Sequence, residues 1–268
     1  MQESPRPCIL RERKIAPSAK FSNPAYDRHQ PHYRFPPAKK TGARKPRKAA
    51  AEKPTLGTQA RTLTTREAIL RAAIRVFSRD GFEGGRIETI SKLSHTHDRM
   101  IYYYFGSKES LFIEVLKRIY QRMNEAEAAL QIDLEDPPGA LTAIVHFTWG
   151  YYLDHPEFMT LLNTENLHEG RHLKKSASMS ELLSPGVGML DRILQTGAAQ
   201  GVFRPDVRAR DLYIAIASLG YFYLSNRCTL SAFLGEDLMH KEALTHWREL
   251  ITDIVLRSVT DTGGNLQS

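Results

Sequence analysis

Apolar residues recur at helical spacing along most of the chain after residue 60. The first such stretch follows Thr64-Thr65-Arg66-Glu67, whose residue types have the spacing of a capping box. Its apolar positions fall on one helical face and comprise Ile69, Leu70, Ala73, Ile74, Val76 and Phe77. We expect a first helix that begins at Thr64 and ends at Asp80-Gly81, because glycine favours a helix C-terminus.

Three further helices are predicted within the next fifty residues. The second is short, with Ile87, Ile90 and Leu93 on one side, and a tight connection through Ser94-His95-Thr96 follows it. The third runs from about His97 to Tyr104, and its spacing turns Ile101, Tyr104 and Phe105 inward. The fourth begins after Ser107, a typical N-cap residue, and is long and amphipathic.

The remainder of the chain also has helical periodicity. Helices are predicted at about 140–153, 156–168, 176–199, 206–225 and 237–259, after a break at Pro137-Pro138-Gly139. No segment alternates convincingly between apolar and polar residues as a strand would. The sequence therefore predicts an all-α fold, in which a small N-terminal bundle joins a larger helical domain through the fourth helix.

Residues 1–60 differ from the rest in composition. They contain 14 Lys and Arg against 4 Asp and Glu, and 9 of the 14 prolines. A segment this charged and proline-rich buries too little apolar surface to fold, so we interpret it as a disordered basic tail. Such a tail suits salt-sensitive contact with a phosphate backbone, and the alternatives are a solvated extension or a misassigned start.

The overall composition excludes several protein classes. No stretch approaches the roughly 18 apolar residues of a membrane span, and no secretory signal is recognisable. The two cysteines, Cys8 and Cys228, match neither a disulfide framework nor a zinc-ligand spacing. We expect a cytoplasmic protein without membrane contact.

Residues 64–116 carry motifs that resemble the TetR/AcrR family of regulators. The motifs are Ala68-Ile69-Leu70-x-Ala72-Ala73, Phe77-x-x-x-Gly81-Phe82 and, most specifically, the run from Tyr102 to Leu111. The resemblance implies a helix-turn-helix DNA-binding domain at 61–110 and an effector-binding and dimerisation domain at 111–268. His95 stands where the family has a turn glycine, which implies some backbone strain if that residue is left-handed.

The resemblance also implies which residues contact DNA. The third helix would be the recognition helix in the major groove, which presents His97, Asp98, Arg99, Tyr102 and Tyr103 to bases and phosphates. Lys108 would hold a phosphate at the start of the fourth helix. Weaker phosphate candidates are Thr65, Arg66 and Arg86.

A homodimer on a palindromic operator and a small-molecule effector follow from the same resemblance. The last two long helices would form the dimer interface, with apolar faces that include Leu212, Ile216, Leu219, Phe222 and Tyr223, then Leu244, Trp247, Ile251, Ile254 and Val255. Candidate effector contacts are Trp149, Tyr152, Phe158, Asn163, Asn166, Tyr221 and Tyr223, because aromatic walls with a few polar groups suit a small organic molecule. Ordinary core packing is the alternative for all of these positions.

The sequence gives less support to metal binding or catalysis. His168 and His172 have the i, i+4 spacing of metal ligands on a helix, but we interpret them as solvated polar residues. No phosphate loop, nucleophile elbow or acid/base pair is recognisable, so we expect neither an enzyme nor a cofactor. The predicted function is a ligand-released transcriptional repressor. The alternatives are an architectural DNA-binding protein that ignores sequence and a helical enzyme with unrecognised catalytic residues.

Overall fold

The structure is a computed structural model that describes residues 56–175 and 184–260. Within these ranges the ordered elements are helical, as the sequence predicts. They are α1 (Leu56–Gly84), α2 (Ile87–Leu93), α3 (Asp98–Phe105), α4 (Lys108–Ala128), α5 (Pro137–Asp154), α6 (Pro156–Leu167), α7 (Ser184–Ala199), α8 (Ala209–Ser225), α9 (Arg227–Leu234) and α10 (Lys241–Val259), with a 3₁₀ turn at Leu173–Lys175. The predicted tail lies outside the described residues as far as residue 55.

Helix α1 starts earlier than predicted and is interrupted where predicted. It begins at Leu56, so the expected start at Thr64 is wrong. No glycine or proline lies between Gly57 and Thr64, and the helix therefore continues through the residues that resemble a capping box. Near its other end, Gly81 leaves helical geometry with φ at 69°. Beyond the kink, the Gly85 amide donates to the Gly81 carbonyl at 3.1 Å.

The N-terminal bundle of α1, α2, α3 and the start of α4 encloses a compact apolar core. Its fully buried side chains include Ile69, Phe77, Ile90, Ile101 and Phe112. The Phe77 and Phe112 rings meet edge to face at 5.2 Å between centroids, a favourable aromatic geometry. This core fixes the position of α3 on α1 and α4.

Two positions near α2 have features that the sequence pattern does not predict. A Cβ on Gly85 would lie 2.5 Å from the Phe77 ring, so the chain between α1 and α2 approaches the core more closely than a side chain allows. Leu93, predicted to share the buried side of α2, is 43% exposed because the helix ends there.

The C-terminal domain is built around α5, which packs against α7, α8 and α10, while α6 packs on α1. Pro137, Pro138 and Gly139 form the first turn of α5 and are not the predicted break. Proline is tolerated in a first helical turn, and the Asp136 side chain caps this one by accepting a hydrogen bond from the Gly139 amide. Helix α9 and the 3₁₀ turn were not predicted. Among the described helices, none is long and apolar enough to cross a membrane.

Candidate nucleic-acid interface and effector core

The turn between α2 and α3 has the geometry of a Schellman motif. The Thr96 amide donates to the Ser91 carbonyl at 2.9 Å, and the His95 amide donates to the Lys92 carbonyl at 3.3 Å. His95 occupies the left-handed position of this motif with φ at 55°, so the strain expected at the missing glycine is present. The Ser94 hydroxyl braces the turn through contacts with the Ile90 carbonyl and the Thr96 hydroxyl.

Helix α3 separates its side chains into a buried and an exposed face. Ile101 and Phe105 are buried, as predicted, and Tyr104 is half-buried against the core. On the other face Arg99 is exposed, Tyr102 is 51% exposed and Tyr103 is 78% exposed. Large aromatic side chains gain nothing for folding when they remain in water, so this face is suited to a partner.

The residues at the ends of α3 complete this face. His97 occupies the N-cap position of α3 and is exposed, and its side chain makes no capping hydrogen bond. Asp98, in the first turn, is half-buried. Arg86 is the exposed residue before α2 and likewise makes no capping bond.

Lys108 lies at the first position of α4, whose N-terminus is well formed. The Ser107 hydroxyl accepts a hydrogen bond from the Ser110 amide at 3.0 Å. The Lys108 ammonium lies 4.9 Å from the centroid of the Phe82 ring and donates to the Glu83 carbonyl at 3.2 Å. The lysine is thus held where α1 ends and α4 begins, beside the amides of a helix N-terminus, an arrangement that attracts anions.

Arg66 and Thr65 do not join the exposed face of α3. The Arg66 guanidinium donates to the Glu114 carboxylate at 2.6 Å and lies 5.0 Å from the centroid of the Phe105 ring. Its contacts connect α1, α4 and α3 within the chain. Thr65 is half-buried inside α1 and is not at a helix start.

A buried, hydrogen-bonded pair lies between the two domains, at residues that the sequence predicts to be solvated. Glu165 and His172 are 1% and 0% exposed, and their carboxylate and Nδ1 atoms are 2.6 Å apart. The other carboxylate oxygen accepts the amides of His172 and Leu173 at 2.8 and 3.0 Å. The prediction of solvated residues on one helix is therefore wrong for His172. Helix α6 ends at Leu167, and the chain then turns the imidazole back onto Glu165.

The segment that carries this pair also contacts the N-terminal bundle. The His172 ring lies 4.6 Å from the Phe82 ring and 4.9 Å from the Phe112 ring, measured between centroids. At the surface Lys175 pairs with Glu109 at 2.7 Å, near the start of α4. We call residues 165–175 the junction segment. In the described part of the chain, no three His, Cys, Asp or Glu side chains are grouped as metal ligands.

The seven candidate effector residues fall into two groups. The first lies between α4, α5, α6 and α8, where the Tyr152 and Phe158 rings stack at 5.7 Å and the Tyr221 hydroxyl donates to the Asn163 amide oxygen. The exposed Asn166 amide approaches the same hydroxyl at 3.5 Å. Burial raises the pKa of nearby Tyr120 to about 12 and raises the pKa of Tyr152 as well, so this region keeps its phenols neutral.

The second group is an aromatic stack between α5, α8 and α10. The Tyr223 ring lies 5.6 Å from Trp149 and stacks on Trp247 at 4.8 Å. Its hydroxyl donates to the Leu238 carbonyl at 2.8 Å, which satisfies the one polar group of the ring. Trp149 and Tyr223 thus have the contacts of ordinary core residues.

Some of the predicted interface residues on α8 and α10 are buried within the chain, and others are exposed. Leu212, Ile216, Tyr223, Ile251 and Val255 are buried within the chain. Phe222 and Ile254 remain 58% and 41% exposed. Ile214 and Leu250, which were not predicted, are exposed beside them at 54% and 36%. The sequence pattern did not separate these two faces, because apolar residues of both helices are buried at some positions and exposed at others.

Each of the two domains matches a known protein family. The family described as "Bacterial regulatory proteins, tetR family" matches residues 69–115, and "Tetracyclin repressor-like, C-terminal domain" matches residues 137–255. The HTH-type transcriptional repressor NicS of Pseudomonas putida is 54% identical over 195 residues, which cover 73% of this chain and 92% of NicS. The HTH-type transcriptional repressor SCO4008 of Streptomyces coelicolor is 27% identical, over 58% of this chain and 76% of its own length.

Solved structures share the same fold. The crystal structure of SCO4942 from Streptomyces coelicolor superposes with a TM-score of 0.55, at 23% identity, over 73% of this chain and 98% of the other. The two family models and the 54% identity with NicS lead to the same family. The two helical domains and the exposed α3 of the helix-turn-helix are consistent with it. The chain belongs to the TetR family of bacterial transcriptional regulators.

Proposed function

We propose that the protein is a transcriptional repressor that binds a palindromic operator as a homodimer and is released by a small-molecule effector. The observation that carries the proposal is the outer face of α3, where Arg99, Tyr102 and Tyr103 stay in water while Ile101 and Phe105 anchor the helix. A major groove admits one α-helix, and its base edges accept contacts from such side chains.

We assign a contact with DNA to each exposed side chain of this face. Arg99 is suited to a bidentate contact with guanine, which contributes about 1–3 kcal/mol of discrimination. Tyr102 and Tyr103 offer hydroxyls to phosphates and ring edges to thymine methyl groups. Lys108 and Arg86 stand at the starts of α4 and α2, where they would fix the bundle on the backbone. Arg66 is already bound by the Glu114 carboxylate of the same chain.

The exposed apolar faces of α8 and α10 support the homodimer. Ile214, Phe222, Leu250 and Ile254 would be removed from water by a second copy. Two recognition helices then read half-sites about 34–36 Å apart along one face of the duplex. A two-fold dimer therefore requires a palindromic operator.

We place the effector against the first aromatic group, between α6 and α8. Tyr221, Asn163 and Asn166 supply polar groups there, and Tyr152 and Phe158 supply an apolar wall. The junction segment begins at the end of α6 and contacts Phe82 and Phe112 of the DNA-binding bundle. A shift of α6 on effector binding would therefore move the bundle, and a coupling of about 1–3 kcal/mol changes operator affinity roughly five- to 150-fold.

The test is a selection of genomic fragments by the full chain, followed by binding measurements on the recovered site. We expect a palindrome that binds much more tightly than its scrambled version at about 150 mM salt. The architectural alternative rests on the basic residues 1–60. It predicts equal binding to both DNAs, and loss of that binding from a chain that begins at Thr55. Equal binding would contradict the proposed repressor.

A further inference from the structure

A cleft of about 530 Å³ lies between α1, α4 and the start of α6, away from the aromatic groups described above. Arg71, Arg75 and Arg79 line it from α1, and Arg122 lines it from α4. Its volume is in the range of small-ligand sites. Four arginine side chains at one small cleft concentrate positive charge there, which favours the binding of an anion.

The described residues leave most of this positive charge unbalanced. Arg79 pairs with Asp80 at 2.7 Å, but Arg71, Arg75 and Arg122 form no ion pair with any residue that the structure describes. The acidic residue in the lining is Glu157, and its carboxylate is 3.1 Å from the Nδ1 atom of His155. With four arginines against one carboxylate in its lining, the cleft retains an excess of positive charge.

The spacing of the arginines indicates the shape of the anion. Residues four apart on a helix lie about 6 Å apart along its axis and on the same face. Guanidinium groups bind carboxylate and phosphate groups in a bidentate manner, one group for each arginine. Ile74 and Pro156 contribute apolar surface beside them.

We propose that this cleft binds a small organic dianion, whose two carboxylate or phosphate groups lie about 6 Å apart on a short apolar linker. The cleft joins α1 of the DNA-binding bundle to α4 and α6. An anion that binds there more tightly in one arrangement of these helices changes operator affinity, and DNA changes anion affinity by the same factor. This regulatory consequence rests on the proposed function, whereas the binding itself does not.

The binding test uses the full chain without DNA. Adipate is the probe because its two carboxylates have the required separation, neutral adipamide is the uncharged control, and inorganic phosphate is the single-group control. Calorimetry at about 50 mM salt keeps screening low. We expect one adipate per chain with a dissociation constant below about 1 mM, weaker binding of phosphate and none of adipamide.

Variants locate the site. R75Q is expected to weaken adipate binding about tenfold, and the R71Q/R75Q double variant more than that, while thermal unfolding midpoints stay unchanged because both side chains are exposed. The matched control is R192Q, which removes an exposed arginine from α7, outside the cleft.

Three outcomes would overturn the proposal. They are no adipate binding up to about 10 mM, equal binding by R75Q and R192Q, and tighter binding of phosphate than of adipate. A fourth measurement addresses the rival role of a DNA-backbone contact. If R75Q weakens binding to operator and scrambled DNA equally and leaves adipate binding intact, the arginines of α1 serve DNA and the anion site is refuted. Failure of operator binding alone would refute the repressor and leave the anion site standing.

Discussion

Replacement of Glu165 by alanine tests whether the buried pair holds the junction segment. The carboxylate accepts three hydrogen bonds, from the His172 imidazole, the His172 amide and the Leu173 amide. Alanine leaves all three donors without this partner, and the two side chains of the pair are fully buried. Because His172 also packs on Phe82 and Phe112, the loss reaches the DNA-binding bundle.

The expected loss of stability is large. Removal of one partner from a buried pair costs about 3–5 kcal/mol, since the donors that remain are desolvated and unsatisfied. A loss of about 4 kcal/mol lowers the melting temperature by roughly 8–16 °C in a chain of this size. Glu165→Gln should cost less, about 1–2 kcal/mol, because its amide oxygen still accepts the two backbone amides.

Urea and thermal unfolding, both followed by circular dichroism, measure these differences. The matched control is Glu157→Ala, which removes a second glutamate paired with a histidine, His155, but in a pair that is about one third exposed. Exposed pairs contribute at most about 1 kcal/mol, so this variant should melt within about 4 °C of the parent. If the two alanine variants lose the same stability, the Glu165–His172 pair does not hold the junction segment.

Three further predictions follow from single positions. Phe222→Glu should convert the homodimer to monomers in analytical ultracentrifugation, whereas Leu167→Glu, at an 84% exposed site on α6, should not; an unchanged dimer would refute the α8 interface. His95→Gly should stabilise the chain by up to about 1 kcal/mol in urea unfolding, because glycine adopts the left-handed turn without strain, and a loss of stability would contradict this. Burial raises the pKa of Tyr120 to about 12, so its contribution to stability is complete below pH 10 and lost between about pH 10 and 12 as the unfolded chain ionises first. Tyr120→Phe should reduce that alkaline loss by up to about 1.4 kcal/mol per pH unit, and an unchanged pH dependence would refute the assignment.

The helices of the DNA-binding bundle could be predicted because their signals are local. Gly81 interrupts α1, Ser107 caps α4, and the spacing of Ile101 and Phe105 fixes the outer face of α3. The start of α1 could not be placed, because a capping-box pattern inside a longer helix has the same residues as one at its end. The proline pair in the first turn of α5 was wrongly predicted to be a break for a similar reason, since such a pair suits either a break or a first turn.

The sites depended on contacts that periodicity does not encode. His172 pairs with a glutamate seven residues earlier through a turn after α6, and the sequence shows only a polar residue at helical spacing from His168. The two aromatic groups of the C-terminal domain look alike in sequence. Only packing separates Tyr223, whose hydroxyl is satisfied by Leu238, from Tyr221, which faces Asn163 and Asn166.

The most direct test of the account is fluorescence anisotropy of the full chain on the recovered operator, with Arg99→Ala and the control Arg192→Ala, at about 150 mM salt. Both arginines are exposed, but only Arg99 lies on α3. We expect that Arg99→Ala weakens operator binding roughly five- to 150-fold, leaves binding to scrambled DNA nearly unchanged and differs clearly from the control. Equal affinity of both variants for the operator, or an equal loss on scrambled DNA, would contradict the assignment of α3 as the recognition helix.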